Sequence, residues 1–267
     1  MTRIAVVADV HADDYGSKVD PATGLNARWV DTIAMLCWVA NDAHERGAEV
    51  LVVAGDLTEQ RHPAPWRVAQ IREAIAAFKG PVVLARGNHD GERAGRSIVD
   101  ALSRDEWDGF TRPGVTQVAG AGIAVLPYLD AHRLRALPKY SDVPPAEAFA
   151  MLGDAFLDIA RGLYVVASQV PGPTVLVVHQ GLSGGLMSDT QAAFLGDQSL
   201  VVDTRALAAI GFDAIVAGHF HKHQILSTKP LVVYAGSPCR TDFGEEHQAK
   251  GYLLVDVEPG EASMTFV

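Results

Sequence analysis

The chain predicts a layered α/β sandwich, and three observations predict it: short continuous apolar runs, helical spacing between the first of them, and metal-ligand residue types just after each run. The runs are Ile4 to Ala8, Val50 to Ala54, Pro81 to Ala85, Val175 to Val178 and Ala214 to Ala217. Each is rich in β-branched residues and continuous rather than alternating, the pattern of a strand buried on both faces. Between the first three, Trp29, Ile33, Leu36, Cys37 and Ala40 keep helical spacing, as do Val68, Ile71, Ile75 and Phe78. Strand–helix–strand alternation implies a parallel sheet, and ligands of such sheets bind beyond the strands' carboxyl ends. The residues that follow the runs are therefore expected on one edge.

Those residues are Asp9 and His11, then Asp56, then Asn88 and His89, then His179, and finally His219 and His221. One Asp or His after a strand is ordinarily a turn residue or a helix cap. Several at once, in positions the topology brings together, point to a bound dinuclear metal centre. The donors are nitrogen and oxygen with no thiolate, which favours Mn²⁺, Fe or Zn²⁺ over a structural zinc site. Gly55, Gly87 and Gly218 precede Asp56, Asn88 and His219, where the chain must turn sharply close to the metals.

Further along, Phe149, Leu152, Phe156, Ile159 and Leu163 predict a packing helix over Pro145 to Leu163. Four polar or Gly/Pro-rich stretches, Asp13 to Ala27, Gly91 to Gly114, Asp130 to Pro144 and Gly181 to Gln198, read as rim loops that shape access. After Ala217 the pattern turns hairpin-like at His223 to Ser227, Leu231 to Ala235, Tyr252 to Val257 and Ser263 to Val267. These strands are expected to complete a second, mixed sheet packed on the first.

With 267 residues and 48% hydrophobic content the chain can bury a full core, and residues 1–267 read as one domain. No apolar run reaches membrane-spanning length, and the first strand begins too close to Met1 for a signal peptide, so a cytoplasmic protein is expected. Cys37 and Cys239 are too few for a disulfide framework and read as reduced thiols. The net charge of −10 excludes binding of nucleic acid through a general basic field. Any phosphate must be drawn in locally, by the metals; Arg61, His62, Arg67, Arg86, Arg93, Arg96, Lys222 and Arg240 lie in sequence near the ligand loops and read either as a basic track or as ordinary solvated side chains.

In order, Asp9-Val-His11, Gly55-Asp56, Gly87-Asn88-His89-Asp90, His179 and Gly218-His219-Phe220-His221 resemble the calcineurin-like metallophosphoesterase superfamily over almost the whole chain. That resemblance implies a four-layer α/β/β/α sandwich of two mixed sheets flanked by helices. A narrower likeness rests on His179-Gln180-Gly181, on Ala217 to Lys222, on Tyr234-Ala235-Gly236-Ser237-Pro238, and on Asp242-Phe243-Gly244-Glu245 with Lys250-Gly251-Tyr252. These resemble the SbcD-type DNA repair exonucleases, in a short, phage-like form without the capping domain. Longer relatives add that domain and a segment for an ATPase, so an SbcC-type ATPase partner and a homodimer are open expectations.

The resemblance assigns Asp9, His11, Asp56 and His221 to one metal and Asp56, Asn88, His179 and His219 to the other, with Asp56 bridging. It implies two divalent ions, Mn²⁺ as in the SbcD branch, and DNA as substrate. His89 would protonate or stabilise the leaving oxygen, with Asp90 orienting its ring. Glu59, where archaeal relatives tend to have a substrate-contacting His, is a candidate substrate-binding residue with Arg61 and His62. Two competing readings remain: a small-molecule phosphodiesterase or phosphatase, favoured by the acidic charge and missing cap, and a non-catalytic scaffold. Turnover of DNA against cyclic nucleotides separates the first, and metal analysis separates the second.

Overall fold

The computed structural model describes residues 1–91, 97–104, 106–130, 143–187, 191 and 200–267. Two six-stranded mixed sheets lie face to face, one ordered β14-β13-β1-β2-β3-β4 and the other β11-β12-β10-β7-β6-β5. In the first, β1 (Thr2–Val7), β2 (Val50–Ala54), β3 (Val82–Ala85) and β4 (Trp107–Phe110) run parallel, in a register that pairs Ile4 with Val50 and Leu51 with Val82. In the second, β6 (Ala121–Leu126), β7 (Thr174–His179), β10 (Ala214–Gly218) and β12 (Leu231–Tyr234) are parallel, with β5 (Gly114–Val118) and β11 (Gln224–Thr228) antiparallel at its edges.

The apolar runs are continuous because each central strand feeds two cores. On β1, Ala5 and Val7 face the helices while Ile4, Val6 and Ala8 join the core between the sheets. On β7, Val175 and Val177 enter that middle core and Leu176 and Val178 face the opposite helix layer. Each fully buried Val, Leu or Ile among them contributes about 1.5–3 kcal/mol, so both faces bind their helices and each other. The outcome is the expected α/β/β/α sandwich.

Helix α1 (Ala27–Glu45) begins where the Asn26 side chain accepts from the Arg28 and Trp29 amides, and α2 (Pro65–Ile75) begins with proline in its first turn. Both cover the first sheet through Trp29, Leu36, Ile71 and Ile75. A short helix, α3 (Ile98–Leu102), starts at a capping box between Ser97 and Asp100. On the other side α4 (Pro145–Ala167) packs Leu152 and Phe156 on the second sheet, near the short α5 (Thr204–Ala208). Ile159, expected on the packed face, is 36% exposed.

The last two strands depart from expectation. β13 (Leu253–Glu258) and β14 (Glu261–Phe266) join the first sheet, with β13 antiparallel to β1. Successive crossovers carry the chain from β1 toward β4 and leave the other edge of β1 unpaired, and β13 satisfies it. Leu253, Val255 and Val257 then fill the middle core. Part of the stretch expected as a rim loop before Gly114 is helix α3 and strand β4, held by the buried Trp107. A two-stranded ribbon pairs β8 (Gly181–Leu182) with β9 (Val201–Val202). Among the described residues no helix is long and apolar enough to cross a membrane.

Candidate metal centre

The ligand-type residues sit where β1, β2 and β3 of one sheet and β7 and β10 of the other end. Side by side, β7 and β10 pair His179 with Gly218, which delivers His179 and His219 together. The loops of the first sheet are laced by backbone hydrogen bonds from Asp9 N to Gly55 O and from His11 N to Asp56 O, each 3.0 Å. His219 N donates to both carboxylate oxygens of Asp9 at 2.9 and 3.1 Å and ties the two sheets at the site. Asp9, His11, Asp56 and His219 all have positive φ, between 47° and 98°. Non-glycine residues seldom adopt that conformation, and its clustering here is strain held by the surrounding fold.

Ligand atoms of Asp9, His11 and His221 lie within 4.8 Å of one another, as do those of Asp56, His179 and His219. The two groups adjoin at Asp56, whose Oδ2 is 3.1 Å from His179 Nε2 and 3.8 Å from His11 Nε2. Asn88 Oδ1 lies 3.1 Å from His179 Nε2 and 2.9 Å from His219 Nδ1. His11 Nε2 and His221 Nε2 approach to 3.1 Å. Thus the residues expected at each metal are brought together.

The donor set fits divalent cations. Outer nitrogens are already engaged: His179 Nδ1 with Ala54 O at 2.8 Å, His11 Nδ1 with Glu59 at 2.7 Å, His221 Nδ1 with Glu245 at 2.6 Å. A proton fixed on the outer nitrogen leaves the lone pair of Nε2 pointing inward, the usual arrangement behind a ligating histidine. His219 turns Nδ1 toward the cluster, 2.9 Å from Asn88 Oδ1, and its Nε2 is buried with no hydrogen-bond partner among the described residues.

Electrostatics show the same crowding. Burial works against ionised Asp56, yet His179, His11 and His89 hold its carboxyl well below the usual range. Burial also opposes protonation of His179, but Asp56 and Asp9 raise it to about 9. His219 goes the other way, lowered to about 3 by burial and by the neighbouring His179. Adjacent imidazoles displaced in opposite directions mark a site built around charge.

His89 lines the cavity at the site, which encloses about 500 Å³ and is also bounded by Tyr15, Gln191, Thr241 and Asp242. Its ring partner is not Asp90. The Asp90 carboxylate is fully buried and accepts from Thr58 N at 3.0 Å and Gly87 N at 2.9 Å, so it braces the loops that carry Asp56 and Asn88. Instead His89 Nδ1 lies 3.2 Å from Glu59 Oε1. Glu59 reaches the cavity as expected of a substrate contact, but both of its oxygens are taken by histidines. Arg61 and His62 are exposed and do not line the cavity.

The expected basic track is thin. Arg67 is buried against Asp13 and Asp14, and the Arg240 guanidinium is spent on the carbonyls of Glu245, Glu246 and Gln248. Arg93 and Arg96 lie outside the described residues. Tyr15 and Gln191, which line the cavity, and Tyr128, whose ring centroid lies 5.6 Å from that of His219, carry no motif in the sequence, and Glu245 and Lys250 lie in motifs that assign them no role. The signal for Glu245 was available, because a ligating histidine calls for an acceptor at its outer nitrogen.

The sequence model of the family described as calcineurin-like phosphoesterase matches residues 2–223. Among solved structures, a dimetal phosphatase from Danio rerio superposes with a TM-score of 0.59 at 9% identity, covering 99% of this chain and 98% of that one. The purple acid phosphatase PPD1 from yellow lupin seeds gives 0.53 at 11% identity, covering 99% of this chain and 51% of the lupin chain. At such identities the likeness is one of fold.

Proposed function

The chain belongs to the calcineurin-like phosphoesterases, metal-dependent hydrolases of phosphate esters, and from that premise we propose that it is a nuclease that cleaves phosphodiester bonds of DNA with two Mn²⁺ ions. Asp9, His11, Asp56 and His221 would hold one ion, and Asp56, Asn88, His179 and His219 the other. Bound there, the ions would supply positive charge opposite the phosphoryl oxygens and Lewis acidity toward the attacking water. The rest of the chemistry belongs to side chains. His89 has its Nδ1 engaged by Glu59, so Nε2 is the nitrogen left to give a proton to the departing oxygen as the P–O bond breaks. Such a positioned acid contributes about 10²–10⁴-fold in rate. The Asp9 carboxylate, held by His219 N, and the Asp90 carboxylate, held by Thr58 N and Gly87 N, keep the ligand loops in register.

The observation that carries DNA over a small ester is Phe243. The residue is 98% exposed, and it follows Thr241 and Asp242, which line the cavity. It stands on a short 3-10 turn, Phe243–Glu245, anchored by the Asp242 carboxylate on Gly244 N and by the buried Glu245. An exposed aromatic face on the residue next to the cavity lining of a phosphodiesterase site suits a nucleobase, and stacking of this kind is worth about 1–3 kcal/mol per base. The test is incubation with Mn²⁺ and end-labelled single-stranded and duplex DNA, beside cyclic nucleotides and nucleoside monophosphates. Cleavage of DNA supports the reading. Turnover of the small esters alone would replace it with a small-molecule phosphodiesterase.

A further inference from the structure

His219 is held differently from the other ligand-type histidines. The outer nitrogens of His11, His179 and His221 each meet an oxygen, supplied by Glu59, Ala54 and Glu245. A neutral imidazole that ligates through Nδ1, the nitrogen His219 turns to Asn88, carries its proton on Nε2. That Nε2 is buried without a partner among the described residues, so no acceptor fixes the ring from behind. Rings surround it instead. Its centroid lies 5.6 Å from Tyr128 with the planes at 37°, 5.5 Å from Phe220 at 28°, and 5.2 Å from His179 at 67°. Aromatic rings attract one another at centroid separations of about 4.5–7 Å.

The neighbouring rings are themselves pinned. Buried Phe220 stacks on Tyr234 at 4.8 Å and 19°. The Tyr234 hydroxyl accepts from Leu182 N at 2.7 Å and donates to Gln180 O at 2.8 Å. Tyr128, two residues beyond β6, exchanges two hydrogen bonds with Arg86 at the end of β3: its N–H donates to Arg86 O at 3.0 Å, and its carbonyl accepts from Arg86 Nη2 at 2.7 Å. The next residue, Leu129, donates its N–H to the wholly buried Gln180 side chain at 3.2 Å. Both sheets therefore fix the backbone from which the Tyr128 ring reaches His219. We infer that Tyr128 and Phe220 are positioning residues that hold the His219 ring in its ligating plane by aromatic contact, where the other three histidines use a hydrogen bond. The inference rests on the assignment of His219 to the second ion and holds whether the substrate is DNA or a small ester.

Tyr128 is the ring to change, because it is half-buried whereas Phe220 is part of the core. Metal-free Tyr128→Phe, which keeps the ring, and Tyr128→Leu, which removes it, are titrated with Mn²⁺ by calorimetry. His219→Ala is titrated beside them to mark the step that belongs to the second ion. Thermal denaturation checks folding, and Tyr128→Met, whose flexible side chain fills irregular gaps, takes the place of Tyr128→Leu if the latter does not fold. Expected is a loss of about tenfold in affinity at the marked step in Tyr128→Leu, with the other step unchanged and both steps intact in Tyr128→Phe. An unchanged isotherm for Tyr128→Leu would overturn the inference. So would equal weakening of both steps, the sign of a general loosening, or a loss in Tyr128→Phe as large as in Tyr128→Leu, which would place the effect in the hydroxyl. The titration contains no substrate, so a protein that behaves as expected in it yet cleaves no DNA defeats the nuclease reading alone.

Discussion

Glu245 Oε1 lies 2.6 Å from His221 Nδ1, and the residue that supplies it is completely buried. Its second oxygen accepts from Thr241 N at 2.9 Å and pairs with Lys250 Nζ at 2.9 Å. Burial pushes this carboxyl up, but His221, Thr241 and Lys250 together bring it down to about 2. The carboxylate is therefore charged at any working pH and holds His221 in one tautomer. Lys250 also reaches Ser237 Oγ at 2.6 Å and His221 O at 3.1 Å, which closes the network.

Glu245→Gln should weaken Mn²⁺ binding about 10–100-fold, the usual effect of losing a carboxylate behind a ligating histidine. Calorimetric titration of the metal-free protein reads it. Lys250→Met strips the buried carboxylate of its cation and should destabilise the fold by about 3–5 kcal/mol in urea denaturation. An unchanged isotherm for Glu245→Gln would mean that His221 is oriented by something else.

His89 and His219 separate chemistry from metal binding. His89→Ala should keep both Mn²⁺ equivalents and lose about 10²–10⁴-fold in diester turnover. His219→Ala should lose one equivalent, because its ring groups with Asp56 and His179 and its Nδ1 lies beside Asn88 Oδ1. The geometry also sets His89 within reach of His11 and Asp56. If His89→Ala loses a metal equivalent, the residue is a ligand and its role as acid is wrong.

Much of this was legible in the sequence because strands buried on both faces leave a plain signature. Ile4 to Ala8 and Val175 to Val178 are apolar at every position since odd and even residues enter different cores. The ligand loops follow from that, since strand ends are where polar chain must emerge. Which sheet β13 and β14 would join was not legible, because their alternation serves any half-buried edge, and only the unpaired side of β1 decides it. Partners such as Glu59 for His89 were hidden for a related reason. Asp90 is adjacent to His89 in sequence, yet its carboxylate points to Thr58 N and Gly87 N, and side-chain direction at a tight turn is a tertiary fact.

Gly55 shows how closely the backbone approaches the cluster. A Cβ built there would sit 2.1 Å from His179 Nδ1, at a φ of +91°. Gly55→Ala should displace the His179 ring from Ala54 O and weaken Mn²⁺ binding. Gly16→Ala is the control, with φ +73° and no atom within 4 Å. Both should lose about 1–2 kcal/mol to left-handed strain, but only Gly55→Ala should lose metal affinity. Equal Mn²⁺ binding in the two variants would show that the site yields to the added methyl.

Away from the metals, Tyr252 hydroxyl lies 2.6 Å from Asp42 Oδ2 and joins the segment before β13 to α1. Burial opposes ionisation of Asp42, but hydrogen bonds from Tyr252 and Arg46 outweigh it and hold the carboxyl below its ordinary value. A carboxylate favoured by the folded state adds stability that is complete above its unfolded pKa of about 4 and is lost as pH falls through the lowered folded value. Tyr252→Phe removes one hydrogen bond to that charge and should cost about 1.5–3 kcal/mol at pH 7. Below about pH 4 the wild-type advantage should shrink, because the carboxyl takes up a proton in both proteins. Urea denaturation at pH 7, 5 and 3 measures the gap, and a gap independent of pH would mean that Tyr252 stabilises through packing and not through the charge on Asp42.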